Sequence, residues 1–587
     1  MGGPSGGFEM VDARDISNKQ KQIAVSEFFE KNKHFLGFDS LQRSLITAVK
    51  EAVDNSLDAC EETRILPEIK IEINRLNGDD IELISQDNGP GIPRDAIENV
   101  FGKFLLGSRF HAIRQTRGQQ GIGITGVVMY AQLTTGAKTR VISKISKESS
   151  AVFVELGLDT RKNKAIKSKE RRELWEDENT GEEIPHGLKI STVMKAKYQR
   201  GKQSVFQYLR MTSIVNPHAT ISLIVRDRDG EVIEEAKWIR TSERLPRVVE
   251  EIKPHPHGIQ LGTLQRMLRE SEEKRMTSFL RHNFSGVSMR AAKELLSVSE
   301  IEEARNPKRI NSEDAKKLID AFQKIKLLPP PTDCLSPIDD LLIKKGLSKA
   351  IDSRFASTVT RLPTVSQGNP FQIEVGLVFG GDLSADGPIE VLRFANRVPL
   401  MYQQGGCALT KAIESINWKQ YGLDHPGGKG LPKGAAAVLI HLASTNVQFT
   451  SEAKEAVSDN EEVTAEIRKG LLEVGRGLKN HLKKNTQRKK AREKFELVNV
   501  ILPEIAKKTS KILGREEPDL APVITQIMNA VFCEEELGWD KERKLATCSI
   551  KVFNYTARAR AYTILLKWPE NDMVSIVENS NGGRKEA

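Results

Sequence analysis

Thr47-Ala-Val-Lys-Glu51-Ala-Val-Asp-Asn55-Ser-Leu-Asp-Ala-Cys60 is the stretch on which the reading of this chain turns. Leu45, Val49, Ala52 and Val53 recur at helical spacing, which predicts an amphipathic helix. Glu51 and Asn55 are four residues apart and therefore share a face. A carboxylate and an amide carbonyl one turn apart can align a water and hold a hard cation through oxygen. Alone, such a pair decorates a solvated helix face as readily as it performs chemistry, so its meaning depends on the neighbouring motifs.

Two glycine-rich loops come next. Asp87-Asn-Gly89-Pro-Gly91-Ile92 ends a predicted hairpin in which Ile69, Ile71 and Ile73 alternate, Asn77-Gly78 turns, and Ile81 and Leu83 return. An aspartate at a strand end can accept a hydrogen bond from an exocyclic amine. The glycines let the backbone approach a flat ring without a Cβ in the way. The second loop, Gly118-Gln-Gln-Gly121-Ile-Gly123-Ile124, runs into the apolar stretch Gly126-Val-Val-Met-Tyr130. Glycines ahead of a helix N-terminus form a phosphate cradle from backbone N–H groups. The Lys-Ser/Thr ending of a P-loop is missing. Each signal is weak by itself, and the three in this order are specific together.

The three boxes resemble those of the gyrase/heat-shock-chaperone/histidine-kinase/MutL superfamily of ATPases. The resemblance implies an α+β multidomain chain with a left-handed Bergerat-type α/β sandwich and a helix-two-turn-helix insert. It also implies a transducer domain with a left-handed βαβ crossover, a long C-terminal helix and a small β tail. ATP and Mg²⁺ are the implied cofactors. Glu51 would be the general base and Asn55 the Mg²⁺ ligand, while Asp87, with Gly89 and Gly91, would read the adenine amine. Arg117, Gly118, Gln119, Gln120, Gly121, Ile122, Gly123 and Ile124 would wrap the triphosphate, and segment 101–117 would be a lid carrying the nucleotide contacts Ser108 and Arg109. One departure stands out. Relatives commonly place Gly-Thr in a later strand, where this chain has Gly187-Leu188.

Composition sets outer bounds. With 587 residues, 39% hydrophobic and 29% charged, the chain fits several globular cores. No apolar run approaches the roughly 18 residues that would span a bilayer, and the first residues contain no apolar signal core. Cys60, Cys334, Cys407, Cys533 and Cys548 are scattered without a Cys-x-x-Cys pair. That argues against a zinc site or disulfide framework and for a reducing cytosol. The net charge of +10 is compatible with nucleic acid without requiring it.

Pro- and Gly-rich interruptions place breaks near 250 and 330, and the resemblance implies an ATP-binding domain with an N-terminal dimerisation segment at 1–245, a helix-two-turn-helix domain at 250–326, a transducer with its long helix at 332–530, and a β appendage at 531–587. Within the first, 159–185 is densely charged without apolar periodicity and is expected to be an exposed insertion. Lys253-Pro-His-Pro-His-Gly258 and Leu327-Leu-Pro-Pro-Pro331 interrupt the pattern. Between them, 262–269 and 288–296 read as short helices about a turn at Ser285-Gly286, serving equally well as a solvated spacer or as the insert. Strand-like segments lie at 371–379, 388–394 and 436–442. Val463, Ile467, Leu471, Val474, Leu478 and Leu482 predict a long amphipathic helix. Its continuation, Lys483-Lys484 and Arg488-Lys-Lys-Ala-Arg-Glu-Lys494, is either a solvated face or a set of salt-sensitive phosphate contacts. In the tail, Cys548, Ile550 and Val552, then Tyr562, Ile564, Leu566 and Trp568, suggest two strands about a turn near Asn554.

Ala395-Asn-Arg-Val-Pro399 and Gln448-Phe-Thr-Ser-Glu-Ala-Lys454 resemble the transducer of gyrase-like and MutL-like proteins, with Lys454 as the switch lysine; Lys429, in Gly427-Gly-Lys-Gly430, competes for that role. The order of parts, with Trp418-Lys-Gln-Tyr-Gly-Leu423 and Lys103-Phe-Leu-Leu-Gly-Ser-Arg-Phe-His111, is similar to the B subunits of archaeal-type DNA topoisomerase VI. That resemblance implies an ATP-dependent self-dimer around double-stranded DNA, no membrane, and cleavage by a separate A subunit in an A2B2 heterotetramer. A MutL-like or chaperone-like clamp is the alternative, although neither is expected to carry the 250–325 insert. A histidine kinase would need an upstream phosphoacceptor helix, and His34 is the sole histidine before Glu51.

Overall fold

The computed structural model describes residues 31–34, 36–104, 112–118, 122–159, 164–177, 180–451, 454–540, 545–554 and 556. They fall into two compact units, Met1–Asn480 and His481–Ala587.

Helix α1 (Leu41–Glu62) starts at Ser40, whose hydroxyl accepts the Arg43 N–H and so satisfies one donor that the first turn leaves open. Leu45, Val49, Ala52, Val53, Leu57 and Cys60 are buried. Glu51 remains half-buried and Asn55 exposed, as an amphipathic helix requires. The next elements are β1 (Glu68–Arg75), β2 (Asp80–Asp87), α2 (Ile97–Gly102), α3 (Gly123–Thr135), β3 (Thr139–Lys144), β4 (Ala151–Asp159), β5 (Lys164–Glu173), β6 (Gly187–Lys195), α4 (Val205–Val215), β7 (Thr220–Arg226) and β8 (Val232–Trp238). Their strands form one sheet in the order β5-β4-β3-β6-β2-β1-β7-β8. Only β1 and β7 pair in parallel. In β2 every second residue is buried, so a single face carries the core beneath α1 and α3.

Strand β5 corrects one expectation. Residues 164–173 are exposed for the most part, as expected, but they form the edge strand of the sheet and not an insertion. An edge strand faces water and needs no apolar alternation, and charge there blocks pairing with other chains. Its backbone ladder to β4 and ion pairs such as Lys167 with Glu98 at 2.7 Å hold it in place.

Residues 261–324 carry α5 (Leu261–Glu270), α6 (Met276–Asn283), α7 (Met289–Val298) and α8 (Ser312–Lys324). They enclose a core of their own around Leu264, Phe279, Leu295 and Phe322. Gly286, in the expected turn, has φ +73°.

Then come α9 (Asp340–Ala350), β9 (Phe355–Thr360), β10 (Thr364–Ser366), β11 (Asn369–Phe379), β12 (Glu390–Ala395), β13 (Val398–Pro399), α10 (Ala408–Glu414) and β14 (Ala436–Ser444). The second sheet runs β10-β11-β14-β12-β13, with β9 also on β11. Every residue of β14 is buried, which explains why the strand is apolar apart from His441 and Ser444. Met211 and Ile214 of α4 share a core with Ile343, Leu347 and Leu439, which welds the two sheets together. Helix α11 (Glu461–Leu513) buries Val463, Ile467, Leu471, Val474 and Leu478 of the predicted stripe, whereas Leu482 is half-buried. A side chain at Gly470 would come within 2.8 Å of Val375, so the helix needs a glycine there.

In the second unit the basic run Lys483–Lys494 of α11 is exposed. Helix α12 (Ala521–Ile527) precedes the hairpin of β15 (Val531–Asp540) and β16 (Leu545–Asn554). The strand around Cys548, Ile550 and Val552 therefore pairs with residues 531–540, which precede it. The strand expected at 562–568 lies outside the described residues. Among the described residues no helix is long and apolar enough to cross a membrane.

Candidate nucleotide site

A cavity of about 760 Å³ opens between α1, the end of β2, the start of α3, β6 and two loops of the second sheet. That volume lies in the range of small-molecule sites.

Asp87 forms one wall. As the last residue of β2 it stands between Ile69 of β1 and Leu188 of β6. Its Oδ2 accepts the Ser56 hydroxyl at 2.6 Å and its Oδ1 the Gly89 N–H at 2.9 Å. Burial pushes the carboxyl pKa up, and those bonds offset only part of the rise. Gly91 has φ +71°, and a Cβ there would run into the Lys144 carbonyl, so no other residue fits. His186 Nδ1 lies 2.8 Å from the Gly89 carbonyl and steadies the loop. Leu188, the departure noted in the sequence, lines the cavity with an apolar side chain. The hydroxyl on Asp87 comes instead from Ser56, which sequence reading passed over although it directly follows Asn55.

Glu51 and Asn55 line the floor. The Glu51 carboxylate lies against Gly123, where a side chain would overlap Oε2. Ile122, Gly123 and Ile124 also line the cavity, so the first turn of α3, with its unpaired N–H groups, faces the same space. Gly118 lines it as well, whereas Ser108, Arg109, Gln119, Gln120 and Gly121 lie outside the described residues. Among the described residues no cluster of three or more His, Cys, Asp or Glu side chains forms a metal cage. Asn55 and Glu51 nevertheless offer the oxygen donors that suit a hydrated Mg²⁺.

Asp54, the residue before Asn55, is buried and accepts the Tyr208 hydroxyl at 3.1 Å. Burial pushes its carboxyl up to about 7, with Lys50 working the other way.

Arg117 is placed differently from the resemblance. Its guanidinium does not line the cavity. It donates to Asp58 at 2.6 Å, to Glu61 at 2.7 and 2.8 Å, and to Asn216 at 2.6 Å. His218 Nε2 lies 2.8 Å from the same Glu61. Burial alone would raise the Glu61 pKa and lower that of Arg117. The carboxylates instead hold Arg117 above its ordinary pKa, and Arg117 and His218 hold Glu61 below its own. The adjoining backbone is tied to the second sheet: Gln115 N–H donates to the Cys334 carbonyl at 2.9 Å, and Asn396 Nδ2 donates to the Thr116 carbonyl at 3.0 Å.

Lys454 enters from the second sheet. It lines the cavity, and its Nζ donates to the Arg117 carbonyl at 3.1 Å. Burial lowers its pKa and Lys50 lowers it further, with Glu51, Asp54 and Asp58 opposing. Lys429 is exposed and is not among the lining residues.

A mixed sheet whose nucleotide-sized cavity receives a lysine from a following sheet defines the class of ATPases with a coupled second domain. Residues 40–160 match the histidine kinase-, DNA gyrase B-, and HSP90-like ATPases, and residues 330–494 match the topoisomerase VI B subunit transducer. The type 2 DNA topoisomerase 6 B subunit of Methanococcoides burtonii is 46% identical over 94% of this chain and 87% of its own length. Its counterpart from Archaeoglobus fulgidus is 44% identical over 92% of this chain and 87% of the relative. That from Pyrococcus horikoshii is 34% identical over 90% and 98%. The chain belongs to the family of type 2 DNA topoisomerase 6 B subunits, and its α+β multidomain architecture is the one expected.

Proposed function

We propose that this chain is the ATP-hydrolysing B subunit of a cytoplasmic type II DNA topoisomerase. ATP binding drives two copies to dimerise through the 1–245 domain around double-stranded DNA. Passage of one duplex through another, with cleavage by a separate A subunit in an A2B2 assembly, then relaxes positive and negative supercoils. The observation that carries this reading is that Glu51, on the helix packed against the first sheet, and Lys454, on the loop that follows the second, line one cavity while the elements of the two sheets share a core. The 332–530 segment would be the transducer and 250–326 the helix-two-turn-helix module.

The chemistry follows from the residues. Asp87 accepts from the adenine amine. The N–H groups opening α3, with the loop from Gly118, take the phosphates. Mg²⁺, held by Asn55, would neutralise charge on the phosphate oxygens. Glu51 orients the attacking water and takes its proton. Lys454 adds positive charge beside the transferred phosphate and loses that partner after hydrolysis. The sheet that carries it is thereby biased between two positions, which couples chemistry to movement.

Glu51→Ala is expected to keep ATP binding and dimerisation while hydrolysis falls at least ~100-fold. Unchanged turnover would remove the catalytic role. Mixing the chain with an A subunit, supercoiled DNA and ATP should give ATP-dependent relaxation. Failure to relax with an A subunit of demonstrated activity would overturn the topoisomerase reading.

A further inference from the structure

Arg43, Thr47 and Glu51 occupy successive turns of α1, and all three line the cavity. Arg43 lies 412 positions from Glu455, yet its Nη2 ion-pairs with Glu455 Oε1. Glu455 directly follows Lys454. Both partners are largely sheltered, with side-chain exposures of 18% and 7%. The guanidinium is aimed by Asp39, which accepts from Nη1 at 2.5 Å, and by the Tyr402 ring, whose centroid lies 4.9 Å away. The second oxygen of Glu455 accepts from Gln403 Nε2 at 2.8 Å, and Gln403 Oε1 accepts the Thr450 hydroxyl at 3.1 Å. Thus the loop carrying Lys454 is fastened at its next residue to the helix carrying Glu51.

Resting on the ATPase reading of the cavity, we propose that Arg43 is a positioning residue for Lys454: the Arg43–Glu455 pair is the latch that holds the lysine in the cavity. The backbone favours this division of labour. Lys454 has φ +55°, a left-handed conformation that a lysine does not adopt without support from its surroundings. Among the described residues its Nζ donates one hydrogen bond, to a carbonyl. The adjacent carboxylate, in contrast, is charge-paired and doubly engaged. A sheltered, charge-assisted pair fixes direction more strongly than one neutral-acceptor bond. Loss of Arg43 leaves Glu455 sheltered without its cation, so the loop moves to water and withdraws Lys454.

The test compares full-length Arg43→Ala, Glu455→Gln, Lys454→Met, the double variant Arg43→Ala/Lys454→Met and the charge swap Arg43→Glu/Glu455→Arg. ATP hydrolysis, nucleotide affinity and melting temperature are read for each. Arg43→Ala and Glu455→Gln should each lower kcat about tenfold, as Lys454→Met does, with nucleotide Kd within about threefold of the parent. The double variant should fall no further than Lys454→Met alone, because a latch has nothing to hold once the lysine is gone. The charge swap should regain at least about threefold in kcat over either single change. A multiplicative loss in the double variant, or a tenfold weaker nucleotide Kd with unchanged kcat, overturns the latch. So does a fall in melting temperature with kcat retained. Absence of hydrolysis by the unsubstituted chain would instead defeat the ATPase reading itself.

Discussion

Arg117 spreads its guanidinium over Asp58, Glu61 and Asn216, while Lys454, bonded to the carbonyl of that same arginine, reaches into the cavity with one donor. Both are cations taken largely out of water. Around Arg117 the carboxylates more than offset the cost of burial and fix both charge states. Around Lys454 burial is the largest influence and is opposed only in part by Glu51, Asp54 and Asp58. One cation is part of the frame. The other is held by a neutral carbonyl, which in the proposed cycle it would exchange for the γ-phosphate.

The contrast is broken most directly at Arg117. Arg117→Met keeps much of the side-chain volume but strands Glu61 and Asp58, and should cost about 3 to 5 kcal/mol of unfolding free energy. Chemical denaturation measures it. A loss under about 1 kcal/mol would mean that the network is decorative and that the two cations are alike.

Asp54 tests the intervening field. Its folded pKa of about 7 lies above the unfolded value near 3.9, so the native state binds the proton more tightly. Stability is therefore greatest below the unfolded pKa and declines as pH rises through 7. In Asp54→Asn that decline is absent. From pH 5 to 8 the variant should gain about 2 to 3 kcal/mol relative to the parent, the proton linkage of roughly two pH units. Parallel stability profiles for the two proteins would show that Asp54 is ionised throughout.

The same contrast explains what sequence could and could not disclose. α1 was readable because its apolar period and the Glu51/Asn55 spacing are local, and the glycine loops because Gly91 and Gly123 meet obligate close approaches. Lys454 was readable through its flanking motif. β5 was not, because Lys164–Glu173 is an edge strand held by backbone pairing and surface charge, leaving no apolar period to detect. Arg117 was misread for a related reason. Its partners lie at 58, 61 and 216, and nothing near position 117 marks a buried cluster assembled with two remote segments. The latch of Arg43 on Glu455 is likewise invisible before the two sheets are joined.

The smallest expected change in stability sharpens the comparison from the other side. Lys454→Met removes an ammonium whose burial lowers its pKa, and the thioether occupies similar space. Unfolding free energy should shift by less than about 1 kcal/mol, since one hydrogen bond is exchanged for relief of desolvation. A depressed lysine pKa means that the unfolded state binds the proton more tightly, so the parent gains stability as pH rises from its folded toward its unfolded pKa. Any advantage of Lys454→Met at neutral pH should therefore narrow in alkaline buffer. Thermal or chemical denaturation at pH 7 and pH 10 reads this, alongside hydrolysis at neutral pH. A loss as large as that of Arg117→Met would show Lys454 to be another strut. A small stability change with greatly slowed hydrolysis is what a cation with two alternative partners requires, because a contact that must be surrendered in each cycle cannot also be one on which the fold depends.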